Sequence, residues 1–255
     1  MKINIIDEYI DYEISDIGSK SFAVYDSMID SLCSALELLK ITRGSRIGLP
    51  AISYDYVNAA IIKSGHVPIF IDIVPQTGLI DINKIHSANV ICVIPVHLFG
   101  QCCNIHKILE LGVLVIEDCS HSIGCVISGQ HIGTMGSFGI FIYQRDKSLL
   151  VSGWSSSPAL TNPKIQKRIE LANKFENQIH LPRRSQLGLD VYTVLYSLVE
   201  NKNMFINFMK QNGIEVHAFK CNNAKQQPLA KVFCSKCVRL PLACVDYISE
   251  IVNEV

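Results

Sequence analysis

Val113-Leu114-Val115-Ile116-Glu117-Asp118, followed after a turn by Phe138-Gly139-Ile140-Phe141-Ile142-Tyr143, decides the fold of this chain. Each run is short and almost wholly apolar, as a strand covered on both faces must be. Each leads to a charged group, Asp118 at the end of the first and Lys147 four residues beyond the second. Open α/β sheets place their ligand sites at the carboxyl edge of such strands. Asp118 and Lys147 are therefore the first candidates for a site.

Working outward, strands alternate with helices. Leu32, Ala35, Leu36 and Leu39 have helical spacing within 22–40, and Arg43-Gly44-Ser45 breaks it. Arg46 to Ala51 reads as a strand, 55–64 as a helix stopped by Gly65, and His66 to Ile73 as a strand. Val90 to Phe99 reads as one long apolar strand, and 103–111 as a helix stopped by Gly112. A turn at Ser128-Gly129-Gln130 precedes the Lys147 strand. This order implies a mostly parallel sheet with helices on both faces. After Lys147 the texture changes: Ser152 to Pro163 reads as loop, and 164–178 as a polar helix. Strands at Val191–Val199 and Ile214–Phe219 and helices at Asn203–Gln211 and 245–254 predict a reduced second α/β domain. The expected division is 1–180 and 181–255.

Bulk composition narrows the function. Of 255 residues, 49% are hydrophobic and 18% charged, enough apolar mass for a large core and too little charge for a disordered chain. Lys plus Arg equals Asp plus Glu at 23 each, so no basic excess points to nucleic acid. No apolar run reaches the length of a membrane span. The opening MKINIIDEYIDYEISD carries acids where a secretory leader needs a basic start, and a cytoplasmic protein is expected. The ten cysteines are scattered and mostly sit in apolar runs, which predicts buried reduced thiols. Cys234 and Cys237 form a C-x-x-C flanked by Cys221 and Cys244, but that spacing matches no common zinc finger, and no metal is expected.

Four segments carry a resemblance. They are Ile47–Tyr54 followed by Gly65–Ile73; Ile94-Pro95-Val96-His97-Leu98-Phe99-Gly100-Gln101; Ile116-Glu117-Asp118-Cys119-Ser120-His121-Ser122-Ile123-Gly124; and Phe141-Ile142-Tyr143-Gln144-Arg145-Asp146-Lys147. In this order and at these distances the chain resembles the DegT/DnrJ/EryC1/StrS sugar aminotransferases, which have the fold-type-I pyridoxal-phosphate architecture. The resemblance implies that Lys147 supplies the amine that bonds the cofactor and later moves a proton. It implies that Asp118 keeps the pyridine nitrogen protonated, that His121 lies near the ring, and that Tyr54 stacks on its face. It also implies a keto-sugar nucleotide as substrate, an amino donor such as glutamate, and a homodimer or a pairing with a full-length relative.

The same comparison of motifs exposes departures. Where the family has a small-residue turn that cradles the cofactor phosphate at a helix N-terminus, this chain has Ser27-Met28-Ile29-Asp30. Ser27 is the candidate phosphate contact that remains, and Asp30 adds negative charge beside it. A serine between the two aromatics before the lysine is here Ile142. These losses raise a second expectation, a relative that keeps the fold but serves as a binding or partner protein.

Overall fold

The computed structural model describes residues 25, 27–145, 148–153, 169–170, 188–189 and 195–240, with the side chains of 143–153, 188–189 and 195 excepted. Lys147 lies outside the described residues, as do the 180/181 boundary and the segment 245–254 read as a closing helix. Helix α1 spans Met28–Leu38, β1 Arg46–Pro50, α2 Asp55–Lys63, β2 Val67–Ile71, β3 Cys92–Val93, α3 Ile105–Leu109 and β4 Leu114–Asp118. The hairpin β5 (Val126–Ile127) and β6 (Gln130–His131) leads to β7 (Phe138–Arg145) and β8 (Ser148–Gly153). Further on come β9 (Gly188–Leu189), β10 (Leu195–Leu198), α4 (Lys202–Gln211), β11 (His217–Ala218), α5 (Pro228–Lys236) and β12 (Cys237–Leu240).

The main sheet has the order β2-β1-β3-β4-β7-β8. Its first five strands are parallel, and β8 runs antiparallel to β7 at the edge. The order reverses direction between β1 and β3, so the carboxyl ends there open a crevice. Side chains alternate across the sheet, as the strand period requires. Ile47, Leu49, Cys92 and Ile116 face α1 and α2, packing with Leu32, Ala35, Leu36, Val57, Ala60 and Ile61. Val93 and Val115 face the other way, toward α3 and toward Tyr196, Ala230 and Phe233 of the C-terminal elements. The expected α/β sheet with helices on both faces is the observed fold.

Several expected elements take a different form. The run Val90–Phe99 contributes only Cys92–Val93 to the regular ladder, with one further bridge from Val96 to Asp118. Pro95 has no N–H to give, and the chain then turns through Leu98–Gly100 with Phe99 at φ 56°. Part of the expected loop from Ser152 is strand β8. The C-terminal strands form an antiparallel sheet, β10-β12-β11. Helix α5 begins with Pro228, whose fixed φ and missing N–H suit a first helical position. Its next two N–H groups are capped from far away: Leu229 N and Ala230 N donate to the Asp72 carboxylate just beyond β2, at 3.2 and 3.0 Å. Lys84 Nζ lies 3.2 Å from the same carboxylate. No helix among the described residues is long and apolar enough to cross a membrane.

Candidate functional site

Asp118 closes β4, and the chain leaves the sheet there toward His121. Tyr54 lies between β1 and α2, and Tyr56 in the first turn of α2. Parallel pairing of β1, β3 and β4 brings these two strand ends to the same rim. The crevice at the switch in strand order is thus bordered by Asp118 and His121 on one side and by Tyr54 and Tyr56 on the other.

Asp118 is 1% exposed. Its Oδ1 accepts the Ser120 N–H at 3.0 Å, and its Oδ2 accepts the Tyr56 hydroxyl at 2.5 Å. The phenol oxygen also lies 3.1 Å from Ser120 Oγ. Burial pushes the Tyr56 phenol well above its ordinary range and the Asp118 charge pushes it further, so Tyr56 stays protonated and is the donor. Both partners of Asp118 are neutral, and no cation among the described residues pairs with it. Tyr54 stacks on His121, with centroids 4.6 Å apart and planes 15° from parallel. It also stacks on Tyr56, at 5.7 Å and 4°. Asp118, Tyr54 and His121 therefore form one group, joined through a residue the motifs did not flag, Tyr56.

Glu117, its neighbour in sequence, does something else. Met135 N and Gly136 N donate to its Oε1 at 2.9 and 2.7 Å, and Gly133 N donates to its Oε2 at 2.7 Å. His97 Nε2 lies 3.2 Å from Oε2. The other ring nitrogen, Nδ1, accepts the Cys103 N–H at 3.0 Å, so the proton of a neutral His97 sits on Nε2 and is given to Glu117. Burial alone would raise the Glu117 carboxyl, but the His97 hydrogen bond and the backbone donors outweigh it and hold it below its ordinary value. Glu117 is a fastener for the turn 133–136, which lies against β7 so closely that a Cβ on Gly139 would stand 2.5 Å from Gly133 Cα. His97, Glu117 and Cys119 also bring ligand-type atoms within 4.8 Å of one another. Both ring nitrogens and both carboxylate oxygens there are already engaged, and burial drives the Cys119 thiol well up, so this cluster is structural.

Ser27 is the N-cap of α1: its Oγ accepts the Asp30 N–H at 3.1 Å. The hydroxyl donates in turn to Asp30 Oδ2 at 2.9 Å, while Lys63 Nζ holds Asp30 Oδ1 at 2.7 Å. The Lys63 hydrogen bond, with Ser27 assisting, lowers the Asp30 carboxyl. The helix N-terminus thus has an anion of the chain's own in its first turn. None of these contacts joins Ser27 to the Asp118 group. Of the C-x-x-C, burial pushes the Cys234 thiol up to about 12 and raises Cys237 further, and neither is in a disulfide.

A pyridine cofactor can be tested against this donor set. A buried carboxylate at the carboxyl rim, with only neutral partners among the described residues and flat rings beside it, is suited to a protonated ring nitrogen. The charge and position of Asp118 fit the group, while Tyr54 and His121 are stacked directly on each other with no interval for a further ring.

The sequence model of the DegT/DnrJ/EryC1/StrS aminotransferase family matches residues 17–178. The chain is 29% identical over 147 residues to a UDP-N-acetyl-3-dehydro-alpha-D-glucosamine 3-aminotransferase of Acidithiobacillus ferrooxidans, covering 55% of this chain and 40% of that protein. It is 29% identical over 122 residues to a GDP-perosamine synthase of Vibrio cholerae, covering 45% of this chain and 33% of that protein. The matched segments thus span less than half of these relatives. The fold is close to that of the sugar aminotransferase CalS13 of Micromonospora echinospora, with a TM-score of 0.78, 14% identity, and 94% and 89% of the two chains covered. It is equally close to an Escherichia coli GDP-4-keto-6-deoxy-D-mannose-3-dehydratase with bound hydrated PLP, at 0.79, 15%, 93% and 88%. Aminotransferases of this family use pyridoxal phosphate. On the family match and this fold, the chain belongs to the DegT/DnrJ/EryC1/StrS aminotransferase family.

Proposed function

We propose that this chain is a pyridoxal-phosphate aminotransferase-type protein acting on a keto sugar carried on a nucleotide, with glutamate or a similar amine as donor. The observation that carries the reading is Asp118, a buried carboxylate at the switch-point rim whose partners among the described residues are both neutral. When bound, pyridoxal phosphate supplies an electron-withdrawing ring that stabilises charge at the carbon losing its proton. In this reading Asp118 holds the proton on the ring nitrogen, Tyr54 and His121 border the ring, and Ser27 lies toward the phosphate. Lys147 Nζ is the group that moves the proton at the sugar carbon. A nucleotide-linked sugar as substrate is supported by the names of the relatives. The division into domains 1–180 and 181–255, a homodimer or a pairing with a full-length relative, and a cytoplasmic location belong to the same proposal. For the location, the support is nine free cysteines among the described residues, which suits a reducing compartment.

The test is a spectrum of the purified chain with added pyridoxal phosphate, before and after borohydride. An absorbance band near the visible edge that reduction fixes onto Lys147, and that Lys147→Ala abolishes, is the expected result. A chain that shows no band after reconstitution refutes the reading.

One set of contacts favours a second reading, a binding or partner protein on the same scaffold. The Tyr56 hydroxyl is on Asp118, and the carboxylate of Asp30, in the first turn of α1, accepts from Ser27 Oγ and Lys63 Nζ. Loss of a measured amino transfer on Lys147→Ala would count against this second reading.

A further inference from the structure

We propose that Tyr56 is an internal ligand of the crevice: its phenol takes the place on Asp118 that a cofactor ring nitrogen needs, so that cofactor binding is a displacement. The inference rests on the pyridoxal reading and concerns the competition between Tyr56 and the cofactor for Asp118.

Three observations carry it. First, the O–H is given to Asp118 Oδ2 at 2.5 Å, with Ser120 Oγ 3.1 Å from the same oxygen, so the phenol is held from both sides. Second, the rings are closed on each other. A third ring between Tyr54 and His121 needs two stacking intervals, about 7 Å in all, and their centroids are 4.6 Å apart. Third, Tyr54 is also parallel to Tyr56 at 4°, so opening the Tyr54–His121 pair shifts the neighbour that holds Asp118. A hydroxyl that gives its proton to a buried carboxylate is the chemical counterpart of a pyridinium N–H. It satisfies the same acceptor, but it leaves the carboxylate charge uncompensated where a pyridinium would pair with it. The cofactor-free chain is therefore stabilised by the contact, and the cofactor must replace it.

The experiment compares the dissociation constant of pyridoxal phosphate, by equilibrium dialysis, for the full chain and for Tyr56→Phe, together with the denaturation midpoints of both proteins without cofactor. Removing the competing charge-assisted bond is expected to tighten binding by about tenfold to a hundredfold, while the cofactor-free variant unfolds at lower denaturant. If Tyr56→Phe binds equally or more weakly while the unaltered chain binds, Tyr56 merely positions Asp118 and the displacement proposal is overturned, leaving the pyridoxal reading intact. If neither protein binds, both readings fall. Should Tyr56→Phe not fold, Ser120→Ala removes the phenol's second partner and keeps the backbone N–H on Asp118. It is expected to tighten binding by a smaller factor, and unchanged or weaker binding there overturns the proposal in the same way.

Discussion

Replacing Glu117 by Gln changes one atom type and should be among the most damaging single substitutions in the molecule. The carboxylate accepts from Met135 N and Gly136 N on one oxygen and from Gly133 N and His97 Nε2 on the other. An amide presents an NH2 in place of one oxygen, and either orientation sets that NH2 against a pair of donors. His97 cannot relieve the conflict by changing tautomer, because its Nδ1 already accepts the Cys103 N–H. Two buried donors lose their acceptor at about 1–3 kcal/mol each, so a loss of about 3–5 kcal/mol is expected. That is a large part of the roughly 5–15 kcal/mol that holds a domain of this kind folded. Urea denaturation at pH 7, followed by tryptophan fluorescence and far-UV dichroism, measures it directly. A loss under about 1 kcal/mol with unchanged cooperativity would show that Glu117 does not fasten the 133–136 turn, and the account of the strand end would be wrong.

Asp72→Asn should cost about 2–3 kcal/mol by weakening the cap on α5 and the Lys84 pair, and hydrogen exchange should report early loss of protection at Leu229 and Ala230. The pH dependence has a definite sign. Glu117 and Asp72 are held below their ordinary values of 4.5 and 3.8. Their contribution is fully present above those values and is lost as pH falls through the lower folded values. Acid titration of the double variant Glu117→Gln, Asp72→Asn should therefore show a flatter acid limb, and an unchanged limb refutes the assignment. Gly139→Ala should destabilise by about 3 kcal/mol, because its Cβ meets the backbone of Gly133 and no flexible side chain can yield. The buried thiols, Cys103, Cys119 and Cys237 among them, have raised values and should react with a disulfide reagent at pH 8 only after denaturant is added.

The strands of the main sheet were legible because burial on both faces leaves apolar runs that end in polar turns. Asp118 was legible because it breaks such a run at the rim. The extent of β3 was not, since Pro95 interrupts a segment whose side chains still read as strand. Tyr56 was hidden for a related reason. In sequence it is one aromatic in a helical segment beside Tyr54, and only the pairing of β1, β3 and β4 brings it to Asp118. Glu117 and Asp118 are adjacent and chemically alike, yet one is saturated by backbone donors from 133–136 and the other is not. That distinction depends on where a later turn lies, which no local pattern encodes. Asp72 likewise reads as the end of a strand, and its role belongs to a helix far downstream.

That last contact sets a clock for synthesis. Asp72 and Leu229 are 157 residues apart. At the usual ribosomal pace of about 5–20 residues per second, the nascent chain waits on the order of ten to thirty seconds between the two. Of its partners among the described residues, the carboxylate just beyond β2 then has Lys84 and its own neighbour Ile73, and its two donors from α5 come last.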